Sequence, residues 1–172
     1  MVTIIQNGDN TLREQAEAVP IKDISSEKIQ NIISDMKKAL STQRDGVAIA
    51  ASQIGLPFRI FVVSDSILKE ADKSYKSIGK DLVFINPEII SLSKKKDDVE
   101  EGCLSVRWKY GKVKRSIKAK IKAYNEYGES IERGASGLLA QIFQHEIDHL
   151  NGILFIDKAY DVGDFPPEEI KK

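Results

Sequence analysis

Near the C-terminal end of the chain, Gln144-His145-Glu146-Ile147-Asp148-His149-Leu150 holds residue types suited to gripping a divalent ion. In a helix, His145 and His149 lie one turn apart on one face and can bind the same ion. Glu146 stands beside the first of them, where its carboxylate can reach a water on that ion and take its proton. These are the only two histidines in 172 residues. Placed at random they would fall four apart about once in ninety trials, before a neighbouring glutamate is asked for. An amphipathic helix with incidental histidines is the competing explanation, and the spacing argues against it.

Catalytic zinc-type sites use three protein ligands and leave a position open for water. The helix supplies two. Cys103, the only cysteine, lies in Glu100-Glu101-Gly102-Cys103-Leu104-Ser105. A lone cysteine is most often a small buried apolar residue, but a site short of one ligand shifts that balance toward coordination. Glu101 fits a supporting role, accepting hydrogen bonds or pairing with an arginine such as Arg115. A third stretch, Gly46-Val47-Ala48-Ile49-Ala50-Ala51-Ser52-Gln53-Ile54-Gly55-Leu56, is dense in small residues. Such density lets backbone approach a neighbouring strand or a ligand closely. Gln53 offers both a donor and an acceptor there, and a tightly packed loop accounts for the composition equally well.

The elements that must position these residues follow from periodicity. Leu12 to Val19 is expected as a brief helix ending at Pro20. A stronger helix follows, capped by Ser25 or Ser26, with Ile29, Ile32, Ile33, Met36 and Leu40 at helical spacing. Its other face is polar, so it packs on the domain from outside. Phe58 to Val63 reads as a buried strand, and Ser64 to Lys80 as a polar surface excursion. Leu82 to Ile85 and Glu88 to Leu92 read as strand segments interrupted by Asn86-Pro87. Ser93 to Asp98 is expected as a charged hairpin turn.

Ser116 to Tyr124 alternates cleanly, with Ile117, Ala119, Ile121 and Ala123 to one side and Lys118, Lys120 and Lys122 to the other. That lysine row is a solvated strand face rather than a nucleic-acid stripe. Asn125 to Gly128 turns the chain, and Ser130 to Arg133 begins the return strand. Ser136 caps the histidine helix, which stops at Asn151-Gly152. Leu138, Ile142, His145 and His149 form one stripe of it, and Leu139, Phe143, Ile147 and Leu150 the opposite one. A helix apolar on two sides runs through the middle of a domain. Ile153 to Ile156 reads as extended, and the tail 157–172 as polar and loosely held.

The chain length suits a single domain, 1–172, with one core. Lys plus Arg and Asp plus Glu both number 26. That balance advertises neither a nucleic-acid nor a membrane partner. No apolar run reaches the length of a membrane span, and one cysteine allows no internal disulfide, which points to a reducing compartment, the cytoplasm.

Three stretches together resemble the peptide deformylase family, metal hydrolases that remove the formyl group from the N-terminal methionine of new polypeptides. The family's motifs are Gly-x-Gly-Leu-Ala-Ala-x-Gln, Glu-Gly-Cys-Leu-Ser and Gln-His-Glu-x-Asp-His-Leu. The second stands unchanged as Glu101 to Ser105 and the third as Gln144 to Leu150, in the same order. The resemblance implies an α+β domain with mixed and antiparallel strands around a central metal-binding helix. It implies Cys103, His145 and His149 as ligands and Glu146 as general base and acid. Gln53 and the Leu104 backbone N–H would steady the developing oxyanion. Gly46, Val47 and Ala48, with Leu138 and Ile142, would line the substrate cleft. It implies iron(II) as the working ion, with zinc, nickel or cobalt also accommodated. Its substrates would be N-formylmethionyl peptides of nascent chains, with the ribosome as a partner although the long basic docking helix of some members is missing.

Two departures stand out. Ala48 occupies a position where the family usually has glycine, adding a methyl where backbone meets substrate, and Ile49 replaces leucine. Arg107-Trp108-Lys109-Tyr110 replaces a stretch where many bacterial members carry a proline and, three residues on, an arginine. Two rival functions use the same features. One is a peptidase of the zinc-helix type cleaving internal bonds; the other is a catalytically idle homologue with a blocked cleft.

Overall fold

The computed structural model describes residues 2–167. A 3-10 turn over Asn10–Arg13 leads to helix α1 (Glu27–Ser41). Ser26 starts α1 by accepting the Ile29 N–H, and Ile29, Ile32, Ile33, Met36 and Leu40 are all buried, as their spacing predicts. Strand β1 (Ala48–Ala50), a 3-10 turn (Ala51–Ile54) and β2 (Ile60–Val63) follow. Then come α2 (Asp65–Ala71), β3 (Leu82–Leu92), β4 (Lys96–Gly102), β5 (Lys109–Ser116), β6 (Lys118–Tyr124) and β7 (Ser130–Ser136). Helix α3 (Gly137–Leu150) carries both histidines, and β8 (Tyr160–Asp164) ends the described elements.

Two antiparallel sheets form, in the orders β1-β2-β3-β6-β7 and β4-β5-β8. The first is sandwiched between helices. On β2, Phe61 and Val63 pack with Leu139, Phe143 and Ile147 of α3, while Ile60 and Val62 pack with Ile29, Ile33 and Met36 of α1. A strand covered on both faces is apolar throughout, which is why Ile60–Val63 shows no alternation. Phe61, Phe84 and Phe143 interlock, with the Phe84 and Phe143 rings edge to face at 5.2 Å. On β6 the expected alternation holds: Ala119, Ile121 and Ala123 are buried and the three lysines exposed. The α+β expectation is met.

Several local expectations are corrected. Beyond Arg13 the 12–19 stretch is not helical. Glu14 is already extended, and the Ala16 and Glu17 N–H groups donate to the carbonyls of Leu150 and Pro57. Tertiary partners there satisfy backbone groups that a helix would otherwise have to pair. Ser93–Asp98 is not a hairpin turn. Lys96–Asp98 already pair with Ser116–Lys114, and the chain crosses from β3 in one sheet to β4 in the other. The Asn86-Pro87 interruption is a register shift inside one continuous strand, with Asn86 at φ 53°. Ile153–Ile156 is not extended throughout, since Phe155–Asp157 form a 3-10 turn. The tail is not loose over Tyr160–Asp164, which pair with β5; residues 168–172 lie outside the described part.

Ser64–Lys80 contains α2 and a buried carboxylate rather than only surface loop. Asp65 accepts the Tyr75 hydroxyl (2.7 Å), the Ile78 N–H (2.9 Å), the Gly79 N–H (3.1 Å) and the Ser77 hydroxyl. Burial raises its pKa, but these hydrogen bonds outweigh it and hold the group at about 2. No described helix is long and apolar enough to cross a membrane.

Candidate active site

The helix α3 enters the core because its apolar residues occupy two sides, and this forces its polar side chains to find partners. Ser136 sits at the N-cap, but its side chain makes no capping hydrogen bond, contrary to expectation. The far end stops at Asn151, with Gly152 at φ 72° against the Arg13 carbonyl, where a Cβ would come within 2.3 Å. Gln144 clamps the helix to the end of β5. It accepts the Ser116 N–H at 3.0 Å and donates to the Ser116 carbonyl at 2.9 Å. Next along the helix, His145 and His149 stand with ring centroids 5.0 Å apart.

The end of β4 delivers Cys103 to the same place. Ligand atoms of Cys103, His145 and His149 all lie within 4.8 Å of one another, and Cys103 Sγ is 3.2 Å from His149 Nε2. His145 Nδ1 is 2.9 Å from Glu101 Oε2, which leaves its Nε2 for the other two. Burial raises the Cys103 thiol, but the His149 and His145 imidazoles overcome it and bring the group down to about 5. A thiolate and two imidazoles, one already oriented through its far nitrogen, form a three-donor set that fits a catalytic divalent ion.

Behind the donors runs a buried chain of charge. Arg115 donates to both Glu101 oxygens, at 2.6 and 3.0 Å, and to Asp148 at 2.7 Å. Lys158 holds the two Asp148 oxygens at 2.8 and 2.9 Å. Burial raises the Glu101 carboxyl, but hydrogen bonds from His145 and Arg115 bring it to about 2. The Glu101–Arg115 pairing agrees with the sequence expectation. The part of Asp148 was missed, although its place one residue before His149 was visible; nothing in the sequence marked which cation it would meet.

Glu146 is buried, its Oε2 has no hydrogen-bond partner among the described residues, and burial raises its pKa. It opens onto a cleft of about 270 Å3. Gly46, Val47, Ala48, Gln53, Cys103, Leu104, Leu138, Ile142 and His145 line that cleft too, so the structure brings these sequence candidates to one place. His149 lies behind the lining, 1% exposed. Gln53 accepts the Ala50 N–H through Oε1 (2.9 Å), which turns its amide N–H groups toward Ser105 Oγ (3.1 Å) and Cys103 Sγ (3.5 Å). The Leu104 N–H makes no hydrogen bond among the described residues. Ser105, fully buried behind Gln53, is a participant that sequence reasoning did not single out.

Three donors beside a buried carboxyl at the floor of an open cleft define a metal-dependent hydrolase. Comparison with known proteins narrows the class. The family model for polypeptide deformylase matches residues 1–164. The peptide deformylase of Carboxydothermus hydrogenoformans is 43% identical over 159 residues, covering 91% of each chain. Among solved structures, a Met-Ala-Ser-bound class I type b peptide deformylase from Acinetobacter baumannii superposes with TM-score 0.82 at 31% identity, covering 92% of this chain and 98% of that one. A peptide deformylase from Legionella pneumophila gives TM-score 0.81 at 36% identity, covering 94% and 87%. The chain belongs to the polypeptide deformylase family, metal-dependent hydrolases that remove the N-formyl group from newly made polypeptides.

Proposed function

We propose that Cys103, His145 and His149 hold the metal and that Glu146 moves the proton in formyl removal from N-formylmethionyl peptides. The observation that carries this is the buried, unpartnered Glu146 oxygen beside three donor atoms within 4.8 Å of one another. A divalent ion held there would supply Lewis acidity and lower the pKa of a water in the cleft. Glu146, which burial makes a stronger base than an exposed carboxylate, would take the proton released by the attacking water and return it to the departing amine. Gln53 and Leu104 line the cleft; with its Ser105 bond kept, Gln53 would turn its other N–H from Cys103 Sγ, and with the Leu104 N–H would donate to the oxygen that gains charge. Both are held in place before reaction, Gln53 by Ala50 and Ser105 and Leu104 by its turn.

Val47, Leu138 and Ile142 give one end of the cleft an apolar lining suited to methionine, and Gly46 and Ala48 put backbone and a single methyl along it. That the Acinetobacter baumannii relative binds Met-Ala-Ser supports a methionyl peptide as the ligand. We assign iron(II) as the working ion, from the resemblance and from a donor set that also admits zinc, nickel and cobalt. We place the reaction on nascent chains in the cytoplasm, with the single free cysteine as support.

Glu146→Gln tests the assignment. It should retain the metal and the fold while formate release from formyl-Met-Ala-Ser falls at least about a hundredfold, the scale of a lost general base. Near-normal turnover in the metal-loaded variant would refute it.

A further inference from the structure

The cleft lining also includes Trp108 and Tyr110, at the start of β5. β5 is the central strand of its sheet, and Tyr110 stands in register between Gly102 of β4 and Gly163 of β8. Cross-strand partners share a face, so the ring has bare backbone on either side. It lies over Gly102, where a Cβ would meet Tyr110 Cε1 at 2.5 Å. Phe165, just past β8, covers Gly163 in the same way, at 2.7 Å. The Phe165 N–H donates to the Trp108 carbonyl at 2.9 Å, and the Tyr110 and Phe165 rings meet edge to face at 6.0 Å.

Aromatic rings over edge glycines stabilise a sheet, yet that use leaves their outer faces free. Tyr110 remains 36% exposed and Phe165 64%. Trp108 and Tyr110 line the same cleft as Glu146, so the shelf is continuous with the site. The cations at this mouth are already engaged. Arg107 pairs with Asp45 at 2.6 Å, donates to Gln43 at 2.7 Å and stacks on Trp108. Lys109 pairs with Asp164 at 2.7 Å. An acidic side chain arriving there finds its partners taken; an aromatic one finds open rings.

We propose that Trp108, Tyr110 and Phe165 extend the substrate cleft and select formylmethionyl peptides with an aromatic or large apolar side chain at one of the two residues after methionine. The inference rests on the deformylase assignment and adds a substrate preference to it. Formate release by the metal-loaded protein is compared for formyl-Met-Ala-Ser, formyl-Met-Phe-Ser, formyl-Met-Ala-Phe and formyl-Met-Ala-Asp. The better phenylalanine peptide should exceed formyl-Met-Ala-Ser by roughly 3- to 20-fold in kcat/KM, chiefly through KM, and the aspartate peptide should gain nothing. Phe165→Ser and Tyr110→Ala should each bring that ratio toward one. If Tyr110→Ala fails to fold, Phe165→Ser decides alone, since that ring is mostly exposed. Equal constants for all four peptides in the wild type, or a ratio unchanged in Phe165→Ser, would overturn the shelf while leaving the deformylase assignment standing. No formate from any of the four would overturn both.

Discussion

Replacing Arg115 with methionine keeps most of the side-chain stem and removes one charge from the buried chain behind the proposed metal site. Arg115 and Glu101 have side chains only 4% and 2% exposed, so water cannot take over the lost contacts. The variant leaves Glu101 with His145 as its remaining polar partner. Breaking one side of a buried pair costs about 3–5 kcal/mol, mostly because the other charge is stranded. Asp148 adds less, since Lys158 still holds it near the surface. For a chain of this size each kcal/mol lowers Tm by about 2–4 °C, so Arg115→Met should unfold roughly 6–20 °C below wild type.

The same substitution should reach the metal through a different route. Glu101 orients His145 through Nδ1, and loosening such support typically weakens metal binding by about 10–100-fold. Two measurements separate the effects: thermal unfolding of the metal-free protein, and metal affinity by chelator competition. Adding Glu101→Leu should restore much of the lost Tm, because no stranded carboxylate remains. Metal affinity should stay low in the double variant, because His145 has lost its orienting group. A Tm for Arg115→Met within about 2 °C of wild type, or a double variant no more stable than the single, would refute the reasoning.

Cys103→Ala should lose the metal outright, because two imidazoles alone hold a divalent ion weakly; stoichiometric metal after dialysis, by elemental analysis, would return Cys103 to a packing role. The Asp65 carboxyl titrates at about 2 in the fold against about 3.9 unfolded, so its contribution is complete above about pH 4 and drains away as pH falls toward 2. Asp65→Asn should therefore cost about 1–2 kcal/mol at pH 7 and lose less than wild type between pH 4 and 2; parallel denaturation curves over that range would count against it.

Much of the chemistry was legible because it is local. His145, Glu146 and His149 share one helical turn and a half, and the single cysteine was the evident candidate for the missing donor. The α1 stripe and the β6 alternation were legible for the same reason: each element's burial is set by its own period. What escaped was decided by distant partners. Glu14–Val19 has helix-compatible residues, yet its backbone is claimed by Leu150 and Pro57. The turn after β3 carries the lysines of a hairpin, but β3 pairs with β2 and β6 while β4 pairs with β5 in the other sheet. Tyr160–Asp164 is polar and short, and only the open edge of β5 makes it a strand.

α3 shows why the supporting network had to be as large as it is. A helix placed in the core for its apolar residues brings Gln144, His145, Glu146, Asp148 and His149 with it, and each polar group taken from water must be met. Gln144 is met by the backbone of Ser116, His145 by Glu101, and Asp148 by Arg115 and Lys158. Among the described residues, three buried side-chain polar atoms remain without partners: Glu146 Oε2, His149 Nδ1 and Ser52 Oγ. Two belong to residues of the proposed reaction, and the third adjoins Gln53. Glu146 Oε2 and His149 Nδ1 belong to the turn of α3 that carries the proposed donors. The interlocked phenylalanines and the Glu101–Arg115–Asp148 chain fix α3 on both sides. That fixing is what would hold the proposed donors in place before charge develops.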